Sequence, residues 1–128
     1  MEQKSWQKSA TVREAFRNAA RGIADAARRE WKLKIAAACT VAALLLAWLI
    51  SLPGLAVGLI IFVSASIIAA EMVNSALETI LDSMFLEYHE GVRKTKDLAA
   101  GAVLVLSMAA GIIGLILFLP PILDSLLY

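Results

Sequence analysis

The feature that most restricts this chain is an apolar run that turns acidic while staying helical in character. Leu55 to Ala70 carries no charge, and Glu71-Met72-Val73-Asn74-Ser75-Ala76-Leu77-Glu78-Thr79-Ile80-Leu81-Asp82 follows with no Pro or Gly inside that block. At about 100° per residue, Glu71, Asn74, Glu78 and Asp82 fall within a stripe roughly 80° wide on one face of a helix. Ser64 and Ser75 lie on or beside the same stripe. A membrane span needs about 20 residues, and the uncharged run is shorter than that, so the span borrows from the acidic block. Glu71 and Asn74 are thereby drawn within the membrane boundary. An ionised side chain at the bilayer centre costs on the order of 2.5–3.5 kcal/mol, and less near the interface. A row of acids on one face therefore needs cations, water or partner helices beside it, which makes this stripe the candidate functional site.

Two further apolar runs complete the plan. Leu33 to Leu52 reads as a first span with Trp31 and Trp48 as interfacial anchors. Leu98 to Leu119 reads as a third, uncharged and closed by Pro120-Pro121. The second span, roughly 55–85, is joined to the first by Ser51-Leu52-Pro53-Gly54 and to the third by a polar connection, 86–97, with Gly91 in it. Residues 5–30 interleave Trp6, Val12, Phe16, Ala19, Ala20, Ile23 and Ala27 with Lys8, Arg13, Arg17, Arg21 and Arg28, the pattern of an amphipathic helix lying on a membrane face. The expectation is an all-α integral membrane protein, residues 1–128 forming one domain of three transmembrane helices plus an N-terminal surface helix. With 60% hydrophobic and 18% charged residues, the chain leaves no room for a separate soluble core. The charged N-terminal region is too long for a secretory signal.

Basic residues set the orientation. Residues 1–34 hold nine Lys or Arg against four acids, and Arg93, Lys94 and Lys96 are the remaining bases. The positive-inside rule places the N-terminus and the 86–97 connection in the cytoplasm. Cys39 stands alone in an apolar run, which excludes a disulfide or a thiolate metal site within one chain and reads as a buried, inert thiol. On the third span Ala99, Ala100 and Gly101, and the pairs Ser107/Gly111 and Ala110/Gly114 at four-residue spacing, permit close helix packing. Three helices alone hardly enclose a polar stripe, so an oligomer is expected.

The charges restrict the chemistry without choosing it. Glu30, Glu78 and Asp82 offer hard oxygen ligands of the type that suits Mg²⁺, while Lys34, Arg93, Lys94 and Lys96 offer positive charge for phosphates. A carboxylate held at the bilayer edge can serve as a general base. Phosphoryl transfer to a lipid hydroxyl fits this set. So does a small proton-coupled transporter with Glu71 as the proton carrier, and so does a non-catalytic assembly role. There is no G-x-x-x-x-G-K-[ST], so a nucleotide site would not be a P-loop. No nucleic-acid partner is expected.

The segments Glu71-x-x-Asn74-Ser75-Ala76-x-Glu78-x-x-x-Asp82 and Lys96-Asp97-x-x-Ala100-x-Ala102-Val103, with Glu30 ahead of the first span, resemble the prokaryotic diacylglycerol kinase family, which includes undecaprenol kinases. The resemblance runs from about Phe16 to Pro120. It implies a homotrimer with composite sites between protomers, in the bacterial cytoplasmic membrane, transferring the γ-phosphate of MgATP to a lipid alcohol. Carried over by position, Glu71 would be the general base and Asn74 would position the reacting groups. Glu30 and Glu78 would hold Mg²⁺, and Lys96 would neutralise phosphate charge. Glu87, Tyr88, His89 and Asp97 would help seat the nucleotide, with Asn18 and Gly22 near the lipid entrance and Asn18 also a nucleotide contact. In one place the chain departs from the pattern: many relatives carry Asn two positions after the acid at 30, where this chain has Lys32.

The resemblance also bears on the substrate. Lys96 to Leu104 and the ending Gly114, Phe118, Pro120 look closer to undecaprenol kinases, whereas Asn74-Ser75-Ala76 and Glu87-Tyr88-His89-Glu90 suit the diacylglycerol branch as well. Undecaprenol is the favoured lipid, with diacylglycerol the other.

Overall fold

The computed structural model describes residues 11–127, and every regular element among them is an α-helix. Trp6 and Lys8, assigned above to the surface helix, lie outside the described residues. The first helix, α1, spans Val12–Arg29. It starts where Thr11, the N-cap, accepts a hydrogen bond from the Glu14 backbone N–H at 3.3 Å. Thr11-Val12-Arg13-Glu14 is the Thr-x-x-Glu spacing of a capping box. Among its apolar residues Val12, Phe16 and Ile23 are exposed.

At Glu30 the backbone opens to φ −89°, ψ 110°, and one residue closes α1 and begins α2, Trp31–Leu49. The second helix ends in a compact hydrogen-bonded turn. The Leu52 N–H donates to the Ala47 carbonyl at 2.9 Å and the Ser51 N–H to the Trp48 carbonyl at 3.1 Å, the two bonds of a Schellman motif. That motif needs a left-handed residue, and Ser51 supplies it at φ 54°. An L residue there is strained by about 1 kcal/mol or more, and Pro53 prevents the helix from continuing.

Helix α3, Gly54–Met84, and helix α4, Glu90–Leu127, are both longer than a bilayer core requires. At about 1.5 Å per residue they measure roughly 46 and 57 Å. Here two expectations fail. The 86–97 segment is not a loop throughout: helix resumes at Glu90, leaving only 85–89 as an elbow. Ion pairs Glu90–Lys94 at 2.9 Å and Arg93–Asp97 at 2.7 Å, both four residues apart, support that first turn, and a single Gly91 costs only about 1 kcal/mol. Nor do Pro120 and Pro121 close the third span, since the helix runs through them. Proline's fixed φ suits a helix, and what it forfeits is its own N–H hydrogen bond, a loss that spanning helices tolerate.

Helix α3 is central, packed on α4 and α2, with α1 resting on α2. Contacts between Lys32 at the start of α2 and Glu78 near the end of α3, and between Lys96 near the start of α4 and Asp82, make the three long helices alternately up and down. Helices α2, α3 and α4 are each long and apolar enough to cross a membrane. Among the described residues the buried hydrophobic side chains are Leu33, Ala47, Ala56, Ile60 and Val103, most of them small or medium in size. Without water to drive burial, apolar outer faces are the expected state of spanning helices.

Candidate active site

The acidic stripe is positioned by the length of α3. If Gly54 stands at the far boundary of a core about 30 Å thick, Glu71 lies about 26 Å along the axis and Glu78 about 36 Å. Glu71 thus falls just inside the apolar layer and Glu78 outside it.

Asn74 is the most deeply buried polar side chain described, 2% exposed. Its Nδ2 donates to Glu78 Oε1 at 2.9 Å, one helical turn away. The same Glu78 oxygen meets Lys32 Nζ at 3.4 Å, from the first turn of α2. Glu78 is therefore held from two sides, by an amide on its own helix and by an ammonium on the next. Three nearby buried atoms have no partner: Glu71 Oε2, Asn74 Oδ1 and Ser75 Oγ. Buried polar atoms are normally hydrogen-bonded, so three unmet acceptors within five residues mark a place shaped for something other than packing.

Glu71 and Lys32 also line a cavity of about 400 Å³ between α2, α3 and α4. Its wall carries the hydroxyls of Thr40, Ser64 and Ser107 among apolar side chains, with Phe118 also lining it. Small residues make the space: Ala36, Ala43, Ala110 and Gly114 face it. Of the small residues expected to bring the third span close to its neighbours, Ser107, Ala110 and Gly114 line this opening instead. Cys39 lines it too and is exposed, which corrects the reading of a buried thiol: with alanine on neighbouring turns, nothing among the described residues covers it.

Other expected residues are distributed around this centre. Lys96 does not reach Glu78; its ammonium pairs with Asp82 across α3 and α4. Asp97 pairs with Arg93. In the elbow Glu87 and Tyr88 are exposed. His89 folds back, its Nδ1 accepting from the Gly91 N–H at 3.2 Å and its ring 5.6 Å from that of Phe85. Asn18 sits midway along α1. Glu30 is half-buried at the α1–α2 junction and makes no side-chain capping bond, so its carboxylate is not committed to the helix start.

The donor chemistry at Glu78 is of the kind that suits Mg²⁺. The ligands available are carboxylate oxygens, and a cation already sits favourably on Glu78 in the form of the Lys32 ammonium. No three His, Cys, Asp or Glu side chains converge on one point among the described residues.

One partner was not among the expected site residues: Lys32 stands out in the sequence only as a departure from a pattern, and its pairing with Glu78 bridges 46 residues. Asp82 is on the stripe as a candidate oxygen ligand, and the structure pairs it with Lys96 instead, a contact that depends on the elbow geometry. The spacing of Glu71, Asn74 and Glu78 carried the rest.

The chain's sequence is also similar to those of known proteins. The family model described as prokaryotic diacylglycerol kinase matches residues 17–118. A diacylglycerol kinase from Synechocystis sp. is 35% identical over 121 residues, covering 94% of this chain and 69% of its own length. An undecaprenol kinase from Bacillus subtilis is 34% identical over 106 residues, covering 83% of this chain and 86% of its own.

Proposed function

This chain belongs to the prokaryotic diacylglycerol kinase family, and from that premise we propose that it transfers the γ-phosphate of MgATP to a lipid alcohol at the cytoplasmic face of the bacterial membrane. Undecaprenol is the favoured substrate and diacylglycerol the other. The observation that carries the proposal is Glu71: its side chain lines the cavity between α2, α3 and α4 and its buried Oε2 has no partner, two turns from a carboxylate already paired with a cation.

The lipid lies in the cavity with its hydroxyl donating to Glu71 Oε2. Glu71 takes that proton as the alcohol oxygen bonds to the γ-phosphorus, the bond between the γ-phosphorus and the β–γ bridging oxygen breaks, and ADP departs with the electron pair. Asn74 holds Glu78 in place through its amide and so positions that carboxylate for the reacting groups. When bound, Mg²⁺ held by Glu30 and Glu78 supplies neutralisation of phosphate charge. Lys96, aimed by Asp82, adds a positive charge from the α4 side. Glu87, Tyr88, His89 and Asp97 border the nucleotide at the elbow and Asn18 borders it from α1, whose exposed Val12, Phe16 and Ile23 rest on lipid. The exposed outer faces of the three long helices are covered by two further copies in a homotrimer. The basic residues gathered at the Glu30 and Glu90 ends support a cytoplasmic location for those ends.

Family membership weighs against the proton-coupled transporter, and no contact described here favours it. Purified protein in mixed micelles, given γ-labelled ATP with undecaprenol or with diacylglycerol, is expected to label lipid extract in a Mg²⁺-dependent way. Absence of label in both lipids refutes the kinase reading, and equal turnover refutes the preference for undecaprenol.

A further inference from the structure

Lys32 occupies a position that neither the acidic stripe nor the basic elbow explains. It projects from the first turn of α2, a third exposed, and touches the one Glu78 oxygen that Asn74 also holds. The same side chain lines the cavity with Glu71. It therefore stands between the carboxylate that would carry the metal and the carboxylate that would take the lipid proton. An ammonium on a four-carbon stem is a compact, movable charge with three donors, and an ion pair this open to water is held by little more than about 1 kcal/mol.

We propose that Lys32 is the exchangeable counter-ion of Glu78: it neutralises the carboxylate while the site is empty, yields it to the divalent cation that enters with the nucleotide, and then contacts the γ-phosphoryl group beside Glu71. The idea rests on Glu78 being a metal ligand in the proposed lipid kinase. A divalent cation on the Glu78 carboxylate would stand within a few ångströms of the ammonium, and their repulsion makes the two compete in the absence of nucleotide. Once displaced, the ammonium is already at the cavity wall, where negative charge arrives.

The competition is measured with Mn²⁺ alone, by its electron paramagnetic resonance signal on purified protein in micelles without nucleotide. A unit and a double positive charge about 6 Å apart in a water-like medium repel enough to change binding roughly tenfold. Lys32→Met is expected to bind Mn²⁺ about tenfold more tightly than wild type, Lys32→Arg to stay near wild type, and Glu78→Gln to bind weakly whether position 32 is Lys or Met. With saturating MgATP, Lys32→Met is expected to lose at least tenfold in kcat, with Lys32→Arg recovering most of it. Unchanged Mn²⁺ affinity in Lys32→Met, with Glu78→Gln still weakened, overturns the counter-ion role and leaves Glu78 as a ligand. Glu78→Gln indistinguishable from wild type removes the metal reading itself. An unchanged kcat in Lys32→Met overturns the phosphoryl contact.

Discussion

Replacing Glu71 is expected to raise stability and abolish activity, and the two signs together test the reading of the site. Its Oε2 is buried without a partner, and a base must carry charge just inside the apolar layer. At the bilayer centre that charge costs about 2.5–3.5 kcal/mol, and at this depth, some 4 Å from the boundary, nearer 1. An unmet buried acceptor adds about 1–3 kcal/mol. Glu71→Gln keeps the shape and the polar atoms but drops the charge, so it should stabilise by about 1 kcal/mol. Glu71→Met drops both and should stabilise by about 2. Loss of a positioned base lowers turnover by about 10² to 10⁴. Unfolding by increasing dodecyl sulfate in mixed micelles, measured beside lipid phosphorylation on the same preparations, gives both numbers. A Glu71→Met protein that keeps more than a tenth of wild-type turnover refutes the base. A Glu71→Gln protein less stable than wild type by 1 kcal/mol shows that Glu71 is held by a structural partner, and the unmet acceptor is then wrong.

Three other outcomes follow from the same contacts. Ser51→Gly relieves the left-handed strain at φ 54° and should stabilise by about 1 kcal/mol in the same dodecyl sulfate titration, with turnover unchanged. Asn74→Leu keeps the volume, removes the unmet Oδ1 and loses the bond to Glu78, so stability should move by under about 1 kcal/mol while kcat falls at least tenfold; a large loss of stability with kcat intact makes Asn74 a packing residue. Cys39, exposed on the cavity wall, should react with a small maleimide in short-chain detergent and be protected by a long-chain alcohol, and equal labelling with and without the alcohol would place the lipid elsewhere.

Much of the architecture was legible because a bilayer narrows the options. Three uncharged runs predict three spans, and the period of Glu71, Asn74 and Glu78 predicts a shared face, which the Asn74–Glu78 hydrogen bond bears out for that pair. What escaped was of two kinds. The limits of α4 were misjudged because Gly91 and Pro120-Pro121 are local signals, and in a helix stabilised over 38 residues their penalties of one to a few kcal/mol are outvoted. The pairs Lys32–Glu78 and Lys96–Asp82 escaped because they join different helices. Periodicity orders residues around one axis and says nothing of which neighbour meets which face. The cavity was hidden for the same reason: Ala36, Ala43, Ala110 and Gly114 are separately unremarkable, and only the packing of α2, α3 and α4 sets them around one space.

The spacing of the two acids then has a physical sense of its own. Seven residues of helix separate Glu71 from Glu78 by about 10 Å along the axis, which is enough to put one on each side of the boundary of the apolar layer. In the proposed reaction the alcohol is fixed by its lipid tail and arrives from inside, whereas a nucleotide with its metal is too charged to enter and stops outside. The gap between an acid and the reacting phosphorus is then bridged by the length of the triphosphate on one side and by the cavity on the other. Moving either carboxylate by one turn, about 5.4 Å, would bury the metal ligand or hydrate the base. A variant with a four-residue insertion between Ser75 and Ala76 keeps the helical face nearly in register yet lengthens the gap by about 6 Å. It should assemble and lose turnover, and full activity in such a protein would show that the separation along α3 does not matter.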